Sequence, residues 1–284
     1  MVLKNYLSLI KFSHTIFALP FAMIGFVLGI VWGKGDFYWT DLILVLGCMV
    51  FGRSAAMAFN RYIDRDIDKL NMRTLSREIP AGILSGSRVL LFVILNCIAF
   101  IVCAGFLNTL CLWLSPVALL IILGYSYTKR FTWLCHFVLG LGLSLAPIGA
   151  YIAVTEHFNL LPILYSMAVL TWVSGFDIIY ALQDEEFDNT HKLFSIPAAI
   201  GKKNALMLSN IVHGITAILL IIAGVIGPFS FLYFIGAAIF ISMLIYQHII
   251  VKPNDLSKVN LAFFTTNGIA SVIFGIFTIT DLLI

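Results

Sequence analysis

Stretches of roughly twenty apolar residues recur along the chain, separated by polar segments of very unequal length. Apolar runs at residues 14–32, 41–59, 88–107, 110–127, 134–154, 160–181, 205–226, 229–250 and 259–281 each have the length needed to cross a bilayer. The pattern predicts an all-α polytopic membrane protein with about nine transmembrane helices. Connections on one side are short, as between Gly227 and Ser230, whereas segments 60–87 and 182–204 on the other are long and polar. Function is expected on the side of the long segments. Each of these follows an even-numbered span, four helices apart, which predicts two pseudo-repeated four-helix units plus one helix in a single membrane domain over residues 1–284.

Composition agrees with this pattern and sharpens it. The chain is 61% hydrophobic and 11% charged, with a mean hydropathy of +1.03, which excludes a soluble fold. The net charge of +3 is small, and the basic residues are separated by membrane-length segments, so no nucleic-acid partner is expected. The basic residues from Lys4 and Lys11 to Lys252 and Lys258 fall on or near one side, with Lys34 on the other and Arg53 inside a span. By the positive-inside rule the N-terminus and the long polar segments face the cytoplasm, as expected of a multi-pass protein of the inner (cytoplasmic) membrane. The first apolar run is long and has no small-residue cleavage site, so it reads as a retained helix. Pro20, Pro116, Pro147 and Pro228 read as kinks, close-packing points or helix ends. Cys48, Cys97, Cys103, Cys111 and Cys135 form no CxxC pair, which suggests packing rather than a disulfide or zinc site.

Against this apolar background, two acidic groups at the inner surface carry the chemistry. In NRYIDRDID, Asn60, Asp64 and Asp68 are spaced by four and share one helix face, while Asp66 points elsewhere. In DIIYALQDEEFD, Asp177, Asp184 and Asp188 differ by seven and four, so they also return to one helical face, with Tyr180 close beside them. The donors are all oxygens. Such a set suits a hard cation such as Mg²⁺, held by one or two carboxylates, waters and the oxygens of a phosphate-bearing substrate. Without cations the carboxylates repel one another; with about two Mg²⁺ and a diphosphate the charges come near balance. Arg73 and Arg77, with Lys129 and Arg130, are placed to bind phosphate oxygens or to anchor the inner surface. Arg53 lies seven residues before Asn60, about two turns deeper on nearly the same face, where a carboxylate or phenol could meet it. The six histidines show no metal spacing; most read as polar packing, with His14 and His136 close to the inner face.

The ordered motifs NRYIDRDID, MRTLSREIPAG, YSYTKRFT, DIIYALQDEEFD and LFSIPAAIG resemble those of the UbiA superfamily of intramembrane aromatic prenyltransferases, from about residue 5 to the C-terminus. Within it the chain most resembles the 4-hydroxybenzoate polyprenyltransferase group. The resemblance implies nine helices around a central cavity, Mg²⁺ dependence, and transfer of a polyprenyl group from polyprenyl diphosphate to a small aromatic acceptor in quinone biosynthesis. It assigns Asn60, Asp64, Asp68, Asp184 and Asp188 to metal and diphosphate, with Asp177 supporting them or acting near the acceptor. Arg73 and Lys129 would hold diphosphate, and Arg53 and Tyr125 would line the acceptor and reacting-carbon region. Tyr125, Tyr180 and Phe176 could stabilise an allylic cation through their ring faces. Two positions depart from the family pattern: Arg61 follows Asn60 where Asp is usual, and Glu78 follows Arg77 where Pro is usual.

Other readings remain at this point. A naphthoate or a futalosine-type precursor would also offer an aromatic ring. A cation-coupled transporter is a different class, though both acidic groups sit at one surface with no charged counterpart at the other mouth. The CDP-alcohol phosphotransferases also join carboxylates to Mg²⁺, but their DxxDGxxAR signature is absent.

Overall fold

The computed structural model describes residues 2–10 and 17–284, with side chains from residue 5 onward; Lys11, His14 and the start of the first expected span lie outside the described residues. Eight helical stretches are long and apolar enough to cross a membrane, and a ninth apolar helix of 13 residues lies at Leu19–Val31. The protein is therefore an all-helical, multi-pass membrane protein. The five cysteines are free.

In chain order the helices are α1 (Val2–Leu9), α2 (Leu19–Val31), α3 (Trp39–Ile63), α4 (Arg65–Asp68), α5 (Gly86–Leu107) and α6 (Thr109–Thr128). There follow α7 (Cys135–Thr155), α8 (Leu160–Ala181), α9 (Glu185–Thr190), α10 (Ile196–Ile226), α11 (Phe231–Ile250) and α12 (Asn267–Leu283). Their bounds lie within a few residues of the apolar runs. Two starts differ: α10 begins nine residues before the run at 205–226, its extra turn set off by a kink at Gly201 (φ 76°) that favours glycine, and α12 begins eight residues into the run at 259–281, behind a π-helical turn at Leu261–Thr266. The prolines take the expected places: Pro20 in the first turn of α2, Pro116 and Pro147 inside helices, and Pro228 between α10 and α11.

The chain divides into two compact units, residues 1–15 with 39–127 and residues 16–38 with 128–284. Helix α2 groups with the second unit although in the chain it lies between the two segments of the first. The cause is backbone packing: Gly25 of α2 meets the Pro147 carbonyl of α7, and any side chain there would collide with it. In the first unit α3 packs along α5, and Leu9, Ala58, Leu84, Val89 and Val93 form its core. The opposite side of α5 exposes Leu91, Leu95, Ile98 and Val102, one apolar stripe at helical spacing suited to lipid.

In the second unit α8 is central, with 14 of its 22 residues buried and α7 and α10 packed against it. Its core joins Phe21, Trp172, Phe240 and Phe274 in tilted and edge-on ring contacts. Lipid supplies no hydrophobic drive between helices, so small residues and internal hydrogen bonds carry much of the association. The hydroxyls of Thr171 and Thr216 meet at 2.8 Å, and Ser209 Oγ donates to the Gly175 carbonyl at 2.7 Å. Asp281 accepts from Ser230 N, Ser230 Oγ and Leu232 N, closing the N-terminus of α11 with a carboxylate.

Replacing Gly25 with Ala is expected to destabilise the detergent-solubilised protein by about 1–3 kcal/mol, because the neighbour is backbone and cannot rotate away. A thermal melt followed by circular dichroism measures this. Gly149→Ala, where nothing lies within 4 Å of the added carbon, should leave the midpoint unchanged or slightly higher.

Candidate active site

The two acidic groups fall in different units, and each is built in its own way. In the first unit α3 runs to Ile63, Asp64 stands at the junction, and α4 ends at Asp68. Asp64 N donates to Asn60 O at 2.9 Å and Asp68 N to Asp64 O at 2.7 Å, so the helical register survives the junction. The expected shared face is therefore real. Asn60 Nδ2 donates to Asp64 Oδ2 at 3.2 Å, and Asp64 and Asp68 are 2% and 3% exposed.

Carboxylates buried to that degree need compensation. For Asp68 it comes from Arg77, whose Nη1 lies 2.7 and 2.8 Å from the two carboxylate oxygens. The connection between α4 and α5 winds tightly enough to bring it there: Thr74 Oγ1 donates to the Asp68 carbonyl, Arg77 N to Thr74 O, and Ala81 N to Arg77 O. The turn closes at Gly82 (φ 73°). Arg77, considered above as a phosphate ligand, is thus the ion-pair partner of Asp68, across an intervening loop that helix periodicity does not reach.

The two departures from the family pattern are also buried. Arg61 is 6% and Glu78 8% exposed, and Arg61 lies in the electrostatic field of Arg77, Asp68, Glu78 and Tyr125. Glu78 accepts from Ser8 Oγ at 2.6 Å, which ties α1 to the loop. Arg53 and Tyr125 lie within electrostatic reach of each other, and Arg53 Nε is buried without a hydrogen-bond partner among the described residues. Arg73 is exposed in the loop, where its backbone N–H donates to Asn71 Oδ1 at 2.9 Å.

In the second unit the expectation of one continuous helix face fails. α8 ends at Ala181, a 3₁₀ turn covers Leu182–Asp184, and α9 begins at Glu185. A 3₁₀ turn winds more tightly than an α-turn, so α-helical spacing alone does not fix where Asp184 and Asp188 stand relative to Asp177. Residues 194–196 run through the group as a strap. Phe194 N donates to the Lys129 carbonyl at 2.7 Å, the Ser195 side chain hydrogen-bonds Asp188, and Ile196 N donates to His136 Nε2 at 3.2 Å. Asp188 also lies in the fields of Asp184, Lys129 and His136.

The sequence places His136 only as a histidine close to the inner face; in the fold it is the partner of Asp177. Its Nδ1 lies 2.7 Å from Asp177 Oδ2. Because Nε2 accepts from Ile196, the proton of a neutral ring sits on Nδ1 and is donated to the carboxylate. Forty-one residues separate the pair, and only the packing of α7 on α8 brings them together. Tyr180 stacks at 4.2 Å on Phe263.

Among the described residues no three His, Cys, Asp or Glu side chains converge on a common metal position. Mg²⁺ does not need such a cage, since it keeps waters and takes one or two carboxylates plus substrate oxygens. The all-oxygen donors and the mutual repulsion of Asp184 and Asp188 fit a hard cation.

Helices of membrane length with carboxylates, an arginine and a lysine near their ends, taken with the family match that follows, place the protein among the membrane prenyltransferases. The sequence matches the UbiA prenyltransferase family over residues 18–269, and the chain belongs to that family. A 4-hydroxybenzoate octaprenyltransferase from Tolumonas auensis is 31% identical over 82% of this chain and 81% of its own, and one from Aliivibrio salmonicida is 31% identical over 83% and 82%. Among solved structures, an apo UbiA homologue from Aeropyrum pernix K1 superposes with a TM-score of 0.85 at 34% identity, covering 94% of this chain and 98% of that one. A UbiA homologue from Archaeoglobus fulgidus bound to DMAPP and Mg²⁺ shares the fold at a TM-score of 0.76 and 22% identity, covering 99% of each chain.

Arg77→Met should leave Asp68 buried without its counter-charge and destabilise the protein by about 3 kcal/mol. Combining it with Asp68→Asn should recover most of that loss. Unfolding of both variants in metal-free buffer, set against Asp68→Asn alone, measures the coupling.

Proposed function

We propose that this prenyltransferase moves a polyprenyl group from its diphosphate to the ring of 4-hydroxybenzoate or a related aromatic quinone precursor, at the cytoplasmic side of the inner membrane. The observation that carries this reading is the buried Asn60–Asp64–Asp68 face, a row of oxygen donors held in helical register and matched to a neighbouring guanidinium. The curated relatives, which bear the name 4-hydroxybenzoate octaprenyltransferase, support the choice of acceptor.

Asn60, Asp64, Asp68, Asp184 and Asp188 are the residues that would hold Mg²⁺. When bound, Mg²⁺ would supply Lewis-acid stabilisation of the departing diphosphate. Arg73 and Lys129 are assigned to the outer phosphate oxygens, where a cation offsets charge released as the carbon–oxygen bond lengthens. Arg53, with its unpaired buried Nε, is assigned to the acceptor carboxylate and Tyr125 to the reacting region beside it. Asp177, oriented by His136, supports the second group of carboxylates or acts near the acceptor. Tyr180 offers its ring face to the positive charge developing on the allylic carbon.

Asp64→Ala and Asp184→Ala are each expected to abolish prenyl transfer while leaving a folded, membrane-inserted protein, and chelation of divalent metal should do the same to the wild type. The assay incubates membranes with labelled polyprenyl diphosphate and, separately, 4-hydroxybenzoate, a naphthoate and a futalosine-type acceptor, then identifies products by mass. Full turnover in both variants would remove the assignment, and a product only with another acceptor would change the substrate.

A further inference from the structure

The last membrane stretch opens with a π-helical turn, Leu261–Thr266, before α12. Such a turn holds one residue more than an α-turn, and it is rare, occurring mostly as a single turn within an α-helix and frequently at functional sites. Here three successive carbonyls find side-chain donors. Thr266 Oγ1 donates to Leu261 O at 3.1 Å, and Asn267 Nδ2 donates to Ala262 O at 3.1 Å and Phe263 O at 3.0 Å.

Asn267 is also tied outward. It is 0% exposed, and its Oδ1 accepts from Trp172 Nε1 on α8 and from Gln247 Nε2 on α11, each at 2.8 Å. All four bonds of one buried amide are spent on the widened turn and on the two helices beside it. An apolar residue would insert into a membrane helix more readily, so insertion does not account for this side chain.

The turn sets an orientation. Removing its extra residue would rotate everything before it by about 100° relative to α12. In the observed register the Phe263 ring lies 4.2 Å from Tyr180, tilted by 32°, and 5.2 Å from Phe176, edge-on at 86°. Tyr180 sits on α8 three residues after Asp177 and four before Asp184. Phe263 and Tyr180 are both only partly buried, so ring surface remains beside the second carboxylate group.

We propose that Asn267 is a positioning residue for the prenyl chain, holding the π-turn open so that Phe263 and Tyr180 present an aromatic surface to the first isoprenoid units. This rests on the prenyl-transfer reading given above. Flat, branched alkene units pack well on aromatic faces, and a ring turned elsewhere would lose that contact while the diphosphate contacts remained.

The test separates the two ends of the ligand. Binding of geranyl thiolodiphosphate, an uncleavable analogue, and of inorganic pyrophosphate is measured by calorimetry on the detergent-solubilised protein with Mg²⁺. Asn267→Leu and Phe263→Leu are each expected to weaken the thiolodiphosphate by about three- to tenfold and to leave pyrophosphate unchanged. Where Asn267→Leu does not fold, Thr266→Val, which removes one tie of the same turn, takes its place. Unchanged binding of both ligands in folded variants, or equal weakening of both, overturns the proposal. A wild type that binds neither ligand overturns the prenyl-transfer reading instead.

Discussion

A charged carboxylate beside hydrocarbon must be compensated, and most of what is distinctive in this protein follows from how that is done. Asp68 is met by Arg77 and Asp177 by His136, while Asp188 has the Ser195 side chain and the field of Lys129. Each partner comes from outside the helical turn that bears the carboxylate, so the loop that carries Arg77, the strap that carries Ser195 and the packing of α7 that carries His136 must be ordered for the acids to be tolerated at all. The many turn hydrogen bonds between α4 and α5, and the strap at residues 194–196, are that order made visible.

Regular helices supply the membrane spans, while departures from regularity supply the chemistry. The α3–α4 junction, the 3₁₀ break after α8 and the π-turn before α12 each lie at or beside a polar group with an assigned role. An unbroken α-helix repeats its faces every few residues and cannot turn a carboxylate or a ring toward a point off its stripe. A local change of pitch can. Its cost in backbone hydrogen bonding is offset here by side chains such as Ser195, Thr266 and Asn267 that bond the affected carbonyls and amides.

The sequence by itself determined the all-helical membrane class, the position of nearly every span and the face shared by Asn60, Asp64 and Asp68. It also determined the family, through motifs whose chemistry reads directly. These properties are local: hydrocarbon admits little except helices of one length, and a spacing of four has one meaning on a helix. Only the tertiary structure decided that Arg77 belongs to Asp68, that His136 orients Asp177 and that the second acidic group crosses a broken helix. It alone also placed α2 with the second half of the chain and Asn267 behind the aromatic surface at Phe263. Those pairings join residues separated by a loop or by whole helices, and nothing in hydropathy or periodicity registers such distances; packing of one backbone against another, as at Gly25 and Pro147, is what brings them within reach.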